Sequence, residues 1–316
     1  MAQPPSGVLM LTLSMLFFAG TRIAEASSIV NGETTDTLPQ VVALFAADDE
    51  GDGQVFCSGV VIGERAVVTA AHCVVAFQVL SANDLDNLWV LSGTEASEAG
   101  VQESVLAVDW AMHPDFNILE LTNDLGLIFL PEENFSFDVM PVNRDPLTES
   151  QLDTDYRFAG WGISDDGAND AGVKRFADIP LNNFSDERLA GYDPQGEYNA
   201  CHGDSGGAVL EFHELGWELA GVNSYVGQPS GDGTECAGGY TVGPRIDAHL
   251  DWIEAQTEVW SAQEWKAYLE RPPEEAQEES RSAGCSTAPD QRFLVPGLAL
   301  MVVLLRLGRR RAEIRR

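Results

Sequence analysis

The sequence predicts an all-β fold, a pair of antiparallel barrels followed by a C-terminal helix. Short apolar runs rich in β-branched residues recur along the chain, and clusters of Gly, Asp and Asn separate them. The length, 316 residues, suits one two-barrel domain with additional segments at both ends. No strand–helix alternation of the kind that builds parallel sheets interrupts this pattern.

The strand-like runs fall at residues 41–45, 57–62, 66–69, 88–91, 105–108 and 125–130, and resume at 208–210 and 219–222. Such even spacing of short strands suits closed antiparallel barrels. Residues 248–270 read as one helix with Trp252, Val259, Trp260 and Trp265 as its apolar points. Pro272 and Pro273 end it, and an acidic, polar linker runs on to residue 283.

The two ends read as targeting segments. Residues 8–18 are apolar and precede Ala24-Glu25-Ala26, an A-x-A cleavage pattern, so residues 1–26 are expected to be a secretory signal. No Lys or Arg precedes the apolar core, and an uncleaved N-terminal anchor is the alternative. At the other end, Cys285 is followed by a polar spacer, an apolar run at 293–305 broken by Pro296 and Gly297, and then Arg306 and Arg309-Arg310-Arg311. The run is shorter than the about 20 apolar residues of a spanning helix. Its basic flank agrees with the positive-inside rule, so membrane contact through 293–305 is expected.

Net charge is −32, from 50 acidic and 18 basic residues. Between Ile29 and Trp252 there are 39 Asp and Glu against 7 Lys and Arg. A surface of that sign repels phosphates, so nucleic acid is excluded as a partner. The run Asp48-Asp49-Glu50-Gly51-Asp52-Gly53 offers oxygen ligands of the kind calcium takes. It lacks a complete calcium-loop pattern and reads as a solvated loop, so no metal and no cofactor are expected.

Three short motifs carry chemistry. Gly203-Asp204-Ser205-Gly206-Gly207 holds a serine in a glycine-rich turn, Thr69-Ala70-Ala71-His72-Cys73 supplies an imidazole, and Asn123-Asp124-Leu125-Gly126-Leu127 supplies a carboxylate on an apolar run. A serine hydroxyl is a weak nucleophile and needs a base to take its proton. A buried carboxylate holds that base in the right tautomer. Singly, each motif has an ordinary reading: a glycine turn, a structural His beside a Cys, an Asp capping a turn. Jointly, and in the order His72, Asp124, Ser205, they resemble the chymotrypsin/trypsin family of serine proteases.

The resemblance spans about Ile29 to Ile253 and includes Phe158-Ala159-Gly160-Trp161-Gly162 and Leu250-Asp251-Trp252-Ile253. It implies two six-stranded barrels with the site between them, and cleavage of protein or peptide substrates. Ser205 is then the nucleophile, His72 the general base and acid, and Asp124 the orienting group. The N–H groups of Gly203 and Ser205 form the oxyanion hole. Ile29-Val30-Asn31-Gly32 resembles the family's freed N-terminus, whose amine pairs with Asp204. The residue before Ile29 is Ser28 rather than Lys or Arg, so either an activating or trimming peptidase that removes Ser27-Ser28 or a signal cut at Ser28 is expected.

Of the five cysteines, the resemblance pairs Cys57 with Cys73 and Cys201 with Cys236, and leaves Cys285 over. It puts Asn199 at the floor of the substrate pocket, Ser224, Tyr225 and Val226 on one wall, and Gly238 on the other. Asn199 carries no charge and Val226 is branched, so an uncharged residue of small or medium size is expected before the scissile bond. Asp232 or Glu235 entering the pocket would restore a basic preference.

The C-terminal tail resembles bacterial sorting tails of the myxobacterial type. That likeness implies processing near Cys285 by sorting machinery and an exported protein, at a bacterial surface or outer membrane or released. The expected layout is then a signal at 1–26, a pro-piece at 27–28, the protease domain at 29–255, a helical extension and linker at 256–284 and the tail at 285–316.

Two other readings remain open. Gly203-x-Ser205-x-Gly207 also fits the nucleophile elbow of an α/β-hydrolase, with His213 or His249 and Asp232 or Asp247 as partners. A binding module on the protease fold is the other, although such modules usually lose one of the three reactive residues.

Overall fold

Val and Ala fill the first long strands, and alternate residues on them are buried on opposite sides. The computed structural model describes residues 29–132, 136–229 and 236–270. A two-residue strand, β1 (Glu33–Thr34), leads into β2 (Val41–Ala47), β3 (Gly53–Gly63) and β4 (Ala66–Thr69). Helix α1 (Ala71–Ser81) intervenes before β5 (Asn87–Gly93), β6 (Val101–Leu106), β7 (Asp109–Met112) and β8 (Gly126–Phe129). These seven strands, β2 to β8, form one antiparallel sheet in the order β6-β5-β2-β3-β4-β8-β7.

The second sheet contains β9 (Asp155–Gly160), β10 (Arg175–Phe184), β11 (Arg188–Tyr192), β12 (Ala208–His213), β13 (Gly216–Val222), β14 (Tyr225–Gly227) and β15 (Tyr240–Pro244). Its order is β13-β12-β9-β10-β11-β15-β14, with β1 pairing with β10. The architecture is the expected all-β, chymotrypsin-like pair of antiparallel units. Seven and eight strand segments stand among the described residues where six per barrel were expected; in the second sheet the short β1 and the edge strand β14 make up the excess.

The alternation of strand side chains creates three cores. Val42, Leu44, Val61 and Val67 pack inside the first sheet with Val74 and Phe77 of α1. Tyr156, Phe158, Ile179, Leu189 and Val209 fill the second sheet. The intervening residues Val41, Ala43, Val60 and Val68 face Ala159, Trp161, Ala208 and Leu210 across the junction between the two sheets. The junction is therefore a dry core in its own right, and it fixes the two sheets relative to each other. Each fully buried aliphatic side chain contributes about 1.5–3 kcal/mol.

The expected single helix over 248–270 is broken. Helix α2 (Leu250–Glu254) and helix α3 (Ala262–Leu269) are separated by an extended segment. Val259 and Trp260 are buried there, and their carbonyls accept from Arg144 Nη2 and from the Val142 N–H. Packing and those bonds hold the segment out of the helix, and Ser261 starts a new one. Its N–H donates to Glu264 Oε2 at 2.8 Å, and its hydroxyl accepts from the Glu264 N–H at 3.3 Å. This is a capping box, three residues from Ser to Glu. Among the described residues no helix is long and apolar enough to cross a membrane. The expected signal, linker and tail, with Cys285, lie outside the described residues.

Candidate active site

Strand β4 runs straight into α1, so the second residue of the helix, His72, sits at the mouth between the sheets. Ala70, the residue before the helix, is extended and has no side chain to cap it. The capping role falls to a distant carboxylate. Asp124, fully buried just before β8, accepts the His72 backbone N–H on Oδ1 at 2.8 Å and the His72 ring Nδ1 on Oδ2 at 2.7 Å. One carboxylate thus finishes the first turn of α1 and orients the imidazole. The Ser224 hydroxyl donates to the same Oδ2 at 2.5 Å. Burial pushes the Asp124 carboxyl up, but the His72 ring, the Ser224 hydroxyl and the His72 N–H outweigh it and hold it below its ordinary range.

The serine arrives from the other sheet. Gly203 (φ 95°) and Gly206 (φ 83°) flank it in left-handed conformations that favour glycine. A Cβ on Gly206 would lie 2.1 Å from Thr69 Oγ1 and 2.2 Å from the Ser58 carbonyl oxygen, so only glycine lets the loop meet the first sheet so closely. Ser205 and His72 line one cavity of about 250 Å³. The Ser205 hydroxyl donates to the Ser224 carbonyl at 3.3 Å, and no hydrogen bond joins it to His72. The N–H groups of Gly203 and Ser205 donate to no acceptor among the described residues. Both remain available to an incoming oxyanion.

Ser58 lies in none of the motifs that carry the chemistry. Its hydroxyl donates to the Gly203 carbonyl at 2.8 Å and accepts the buried Trp161 N–H at 2.9 Å, and its own N–H donates to the Ser205 carbonyl at 2.8 Å. Ser224 was foreseen only as a pocket wall and turns out also to hold Asp124. Only the partners, remote in sequence, reveal these roles.

Asp204 is fully buried beneath this loop. It accepts from the N–H groups of Cys201 (2.9 Å), Gly162 (2.8 Å) and Ile29 (3.3 Å). Burial pushes its carboxyl up to about 7 against the pull of those three donors and of Arg175. Ile29 is buried as well, and the Val30 N–H donates to the Asn199 carbonyl at 2.7 Å. With Ser28 before it the Ile29 nitrogen is a peptide N–H, so Asp204 meets a dipole there rather than a charge.

A family model described as Trypsin matches residues 29–253. The chain belongs to the trypsin family. Similar curated proteins include a brachyurin from Leptuca pugilator, 28% identical over 232 residues that cover 70% of this chain and 94% of that protein. A vitellin-degrading protease from Bombyx mori is 28% identical over 72% of this chain and 84% of its own length. A trypsin from Saccharopolyspora erythraea is also 28% identical, over 72% of this chain and 97% of its own. The protein is a serine-type endopeptidase that acts on peptide or protein substrates.

Among the residues expected for the trypsin-family pocket, Ser224, Tyr225 and Val226 line the cavity that holds Ser205, together with Thr241. Asn199 lies one layer below: its Oδ1 accepts from Thr241 Oγ1 at 2.6 Å and its Nδ2 donates to the Cys236 carbonyl at 2.8 Å. Both ends of its amide are thereby committed. Gly238 (φ 70°) is absent from the cavity lining, and a Cβ there would meet open space. Asp232 and Glu235 lie outside the described residues. Disulfides join Cys57 to Cys73 and Cys201 to Cys236, with Cα separations of 6.1 and 5.2 Å.

The elbow reading fails on geometry. Ser205 leads into strand β12 rather than a helix. His249 is buried between the Arg245 carbonyl and Asn123 Oδ1, and Asp247 is engaged by Arg245. His213 contacts Glu211 and Glu218 on the far side of β12 and β13. In the acidic loop, Asp48 Oδ1 accepts the N–H groups of Glu50 and Asp52 and so closes the loop on itself.

Proposed function

We propose that the protein hydrolyses peptide bonds through an acyl-enzyme, with Ser205 as nucleophile, His72 as base and acid, and Asp124 as orienting carboxylate. The observation that carries this reading is the pairing of His72 Nδ1 with buried Asp124, beside a cavity that His72 and Ser205 both line. Nε2 takes the Ser205 proton as Oγ attacks the scissile carbonyl carbon, and the carbonyl oxygen gains the negative charge. The N–H groups of Gly203 and Ser205 receive that oxyanion. Collapse breaks the C–N bond, and His72 returns the proton to the leaving amine. Water, deprotonated by the same Nε2, then attacks the ester carbon; the C–Oγ bond breaks, His72 returns the proton to Ser205 Oγ, and the acid product leaves. Asp124 stays ionised throughout and stabilises the imidazolium.

The residue before the scissile bond is uncharged in this reading. The committed amide of Asn199, the Thr241 hydroxyl and the branched Val226 support it. Activation follows when removal of Ser27-Ser28 converts the Ile29 N–H into an ammonium facing Asp204. Two disulfides and the N-terminal apolar segment support export through an oxidising compartment. Residues 1–26 act as the signal and 29–255 as the protease domain. Residues 256–284 extend it, and 285–316 carry the sorting tail processed near Cys285, for delivery to a bacterial surface or beyond.

Fluorophosphonate labelling tests this reading on protein beginning at Ile29, beside protein beginning at Ser27. Labelling of Ser205 that is lost in His72→Ala is expected, and strongest with Ile29 exposed. A folded protein beginning at Ile29 that does not label would overturn it.

A further inference from the structure

A second cavity, of about 370 Å³, lies beside the reactive one and shares Tyr225 with it. Its lining includes Phe184, Arg188, Ala190, Tyr225, Tyr240 and Val242. Strand register explains the grouping. Tyr225 stands opposite Val242, and Val242 opposite Ala190. Opposed residues share a face, as do residues two apart on one strand, so Arg188 and Tyr240 join them. Leu189 and Gly243 alternate with these, and Leu189 enters the core of the sheet. The cavity is therefore built on the outer face of β11, β15 and β14.

Charge singles out one residue here. Between Ile29 and Ile253 there are six arginines, and five of them pair with carboxylates: Arg65, Arg144, Arg157, Arg175 and Arg245. Arg188 instead donates to two neutral oxygens, the Glu120 carbonyl at 3.0 Å and the Tyr225 hydroxyl at 3.5 Å. Among the described residues no Asp or Glu lines its cavity, in a chain with 50 acidic residues against 18 basic. Asp186 and Glu187, on the turn between β10 and β11, are exposed and outside the lining. A guanidinium is a planar fork suited to carboxylates, and here its fork has none.

We infer that Arg188 selects acidic side chains two and four residues before the scissile bond of the substrate. The inference rests on the peptidase reading above. Strand β14 is the last strand of its sheet among the described residues, and an extended peptide can add to such an edge. Such a peptide alternates its side chains between two faces. The residue before the scissile bond enters the Thr241 side, which leaves the second and fourth on the side of Tyr225 and Arg188.

The test uses the Ser205→Ala protein, so that binding is read without turnover. Fluorescent peptides carry Glu or Lys at the second and fourth positions of an otherwise neutral sequence. The Glu peptide is expected to bind on the order of ten-fold tighter than the Lys peptide, less so at high salt. Adding Arg188→Glu is expected to reverse that order. Equal binding of the two peptides, or a preference unmoved by Arg188→Glu, would overturn the inference. Fluorophosphonate labelling of the parent protein is run beside it. A preference that follows residue 188 without labelling would leave this subsite standing and sink the peptidase reading, whereas labelling without the preference would do the reverse.

Discussion

The hydroxyl of Ser58 donates to the carbonyl of Gly203 at 2.8 Å across 145 residues of sequence. A side chain of the first sheet thereby sets the backbone of the loop that presents Ser205 from the second. The same oxygen accepts the Trp161 backbone N–H, so it bridges two main-chain groups.

Replacing it, Ser58→Ala, is expected to lower kcat about ten-fold while KM changes little. That is milder than the about 100- to 1000-fold loss on deleting an oxyanion donor outright, because the donors remain but lose their brace. Stability should fall by about 1–3 kcal/mol, since the Trp161 N–H is left buried without an acceptor. Steady-state kinetics check it; a rise in KM with kcat intact would count against the bracing role.

The pH dependence of stability should differ between protein beginning at Ser27 and protein beginning at Ile29. The Asp204 carboxyl is raised to about 7 in the unprocessed chain. A raised carboxyl contributes stability that is full below its unfolded value, near 4, and is lost as pH rises through about 7. An ammonium at Ile29 favours the ionised carboxylate and opposes that loss. Thermal melts from pH 5 to 8 should show the longer chain weakening more, and Asp204→Asn should remove the difference.

Lys174 is almost wholly buried, its Nζ donating to the Leu38 carbonyl at 2.7 Å, 5.7 Å from the centre of the Trp161 ring. Burial lowers its ammonium to about 8, against the pull of Asp36. A lowered lysine contributes stability above its unfolded value, near 10.4, and loses it as pH falls through about 8. Lys174→Met should therefore raise the melting temperature at pH 6–7 and lose that advantage above pH 10.

Ser261→Ala removes one half of the capping box on α3 and should cost about 0.5–2 kcal/mol. The loss should appear in urea denaturation as a lower midpoint with an unchanged slope. Fluorophosphonate labelling of the folded variant should not change, because α3 meets the back of the first sheet and β13 rather than the mouth between the sheets.

Much of the fold was legible because strand runs such as 66–69 bury nearly every residue, and their composition says so. His72, Asp124 and Ser205 stood out because each sits in a dense local motif. The break between α2 and α3 was not, since buried Val259 and Trp260 mimic a helical apolar stripe; only Ser261 followed by Glu264 betrays the restart. Nor was α1, whose start lacks any local cap because Asp124 supplies it from 52 residues away. Ser58 and Arg188 escaped for the same reason: their meaning lies in partners that the chain brings together only when folded.

The double duty of Asp124 has a consequence for the life of the nascent chain. The imidazole gains its orientation only when β8 docks beside α1, and Ser205 gains its brace only when both sheets meet. These are contacts of long sequence separation, which form late and slowly. A chain threaded through an export channel, or caught half-folded, therefore has a serine, a histidine and an aspartate but no peptidase. Completion of the tertiary structure is thus a precondition for any reaction at this site, ahead of whatever happens at Ile29.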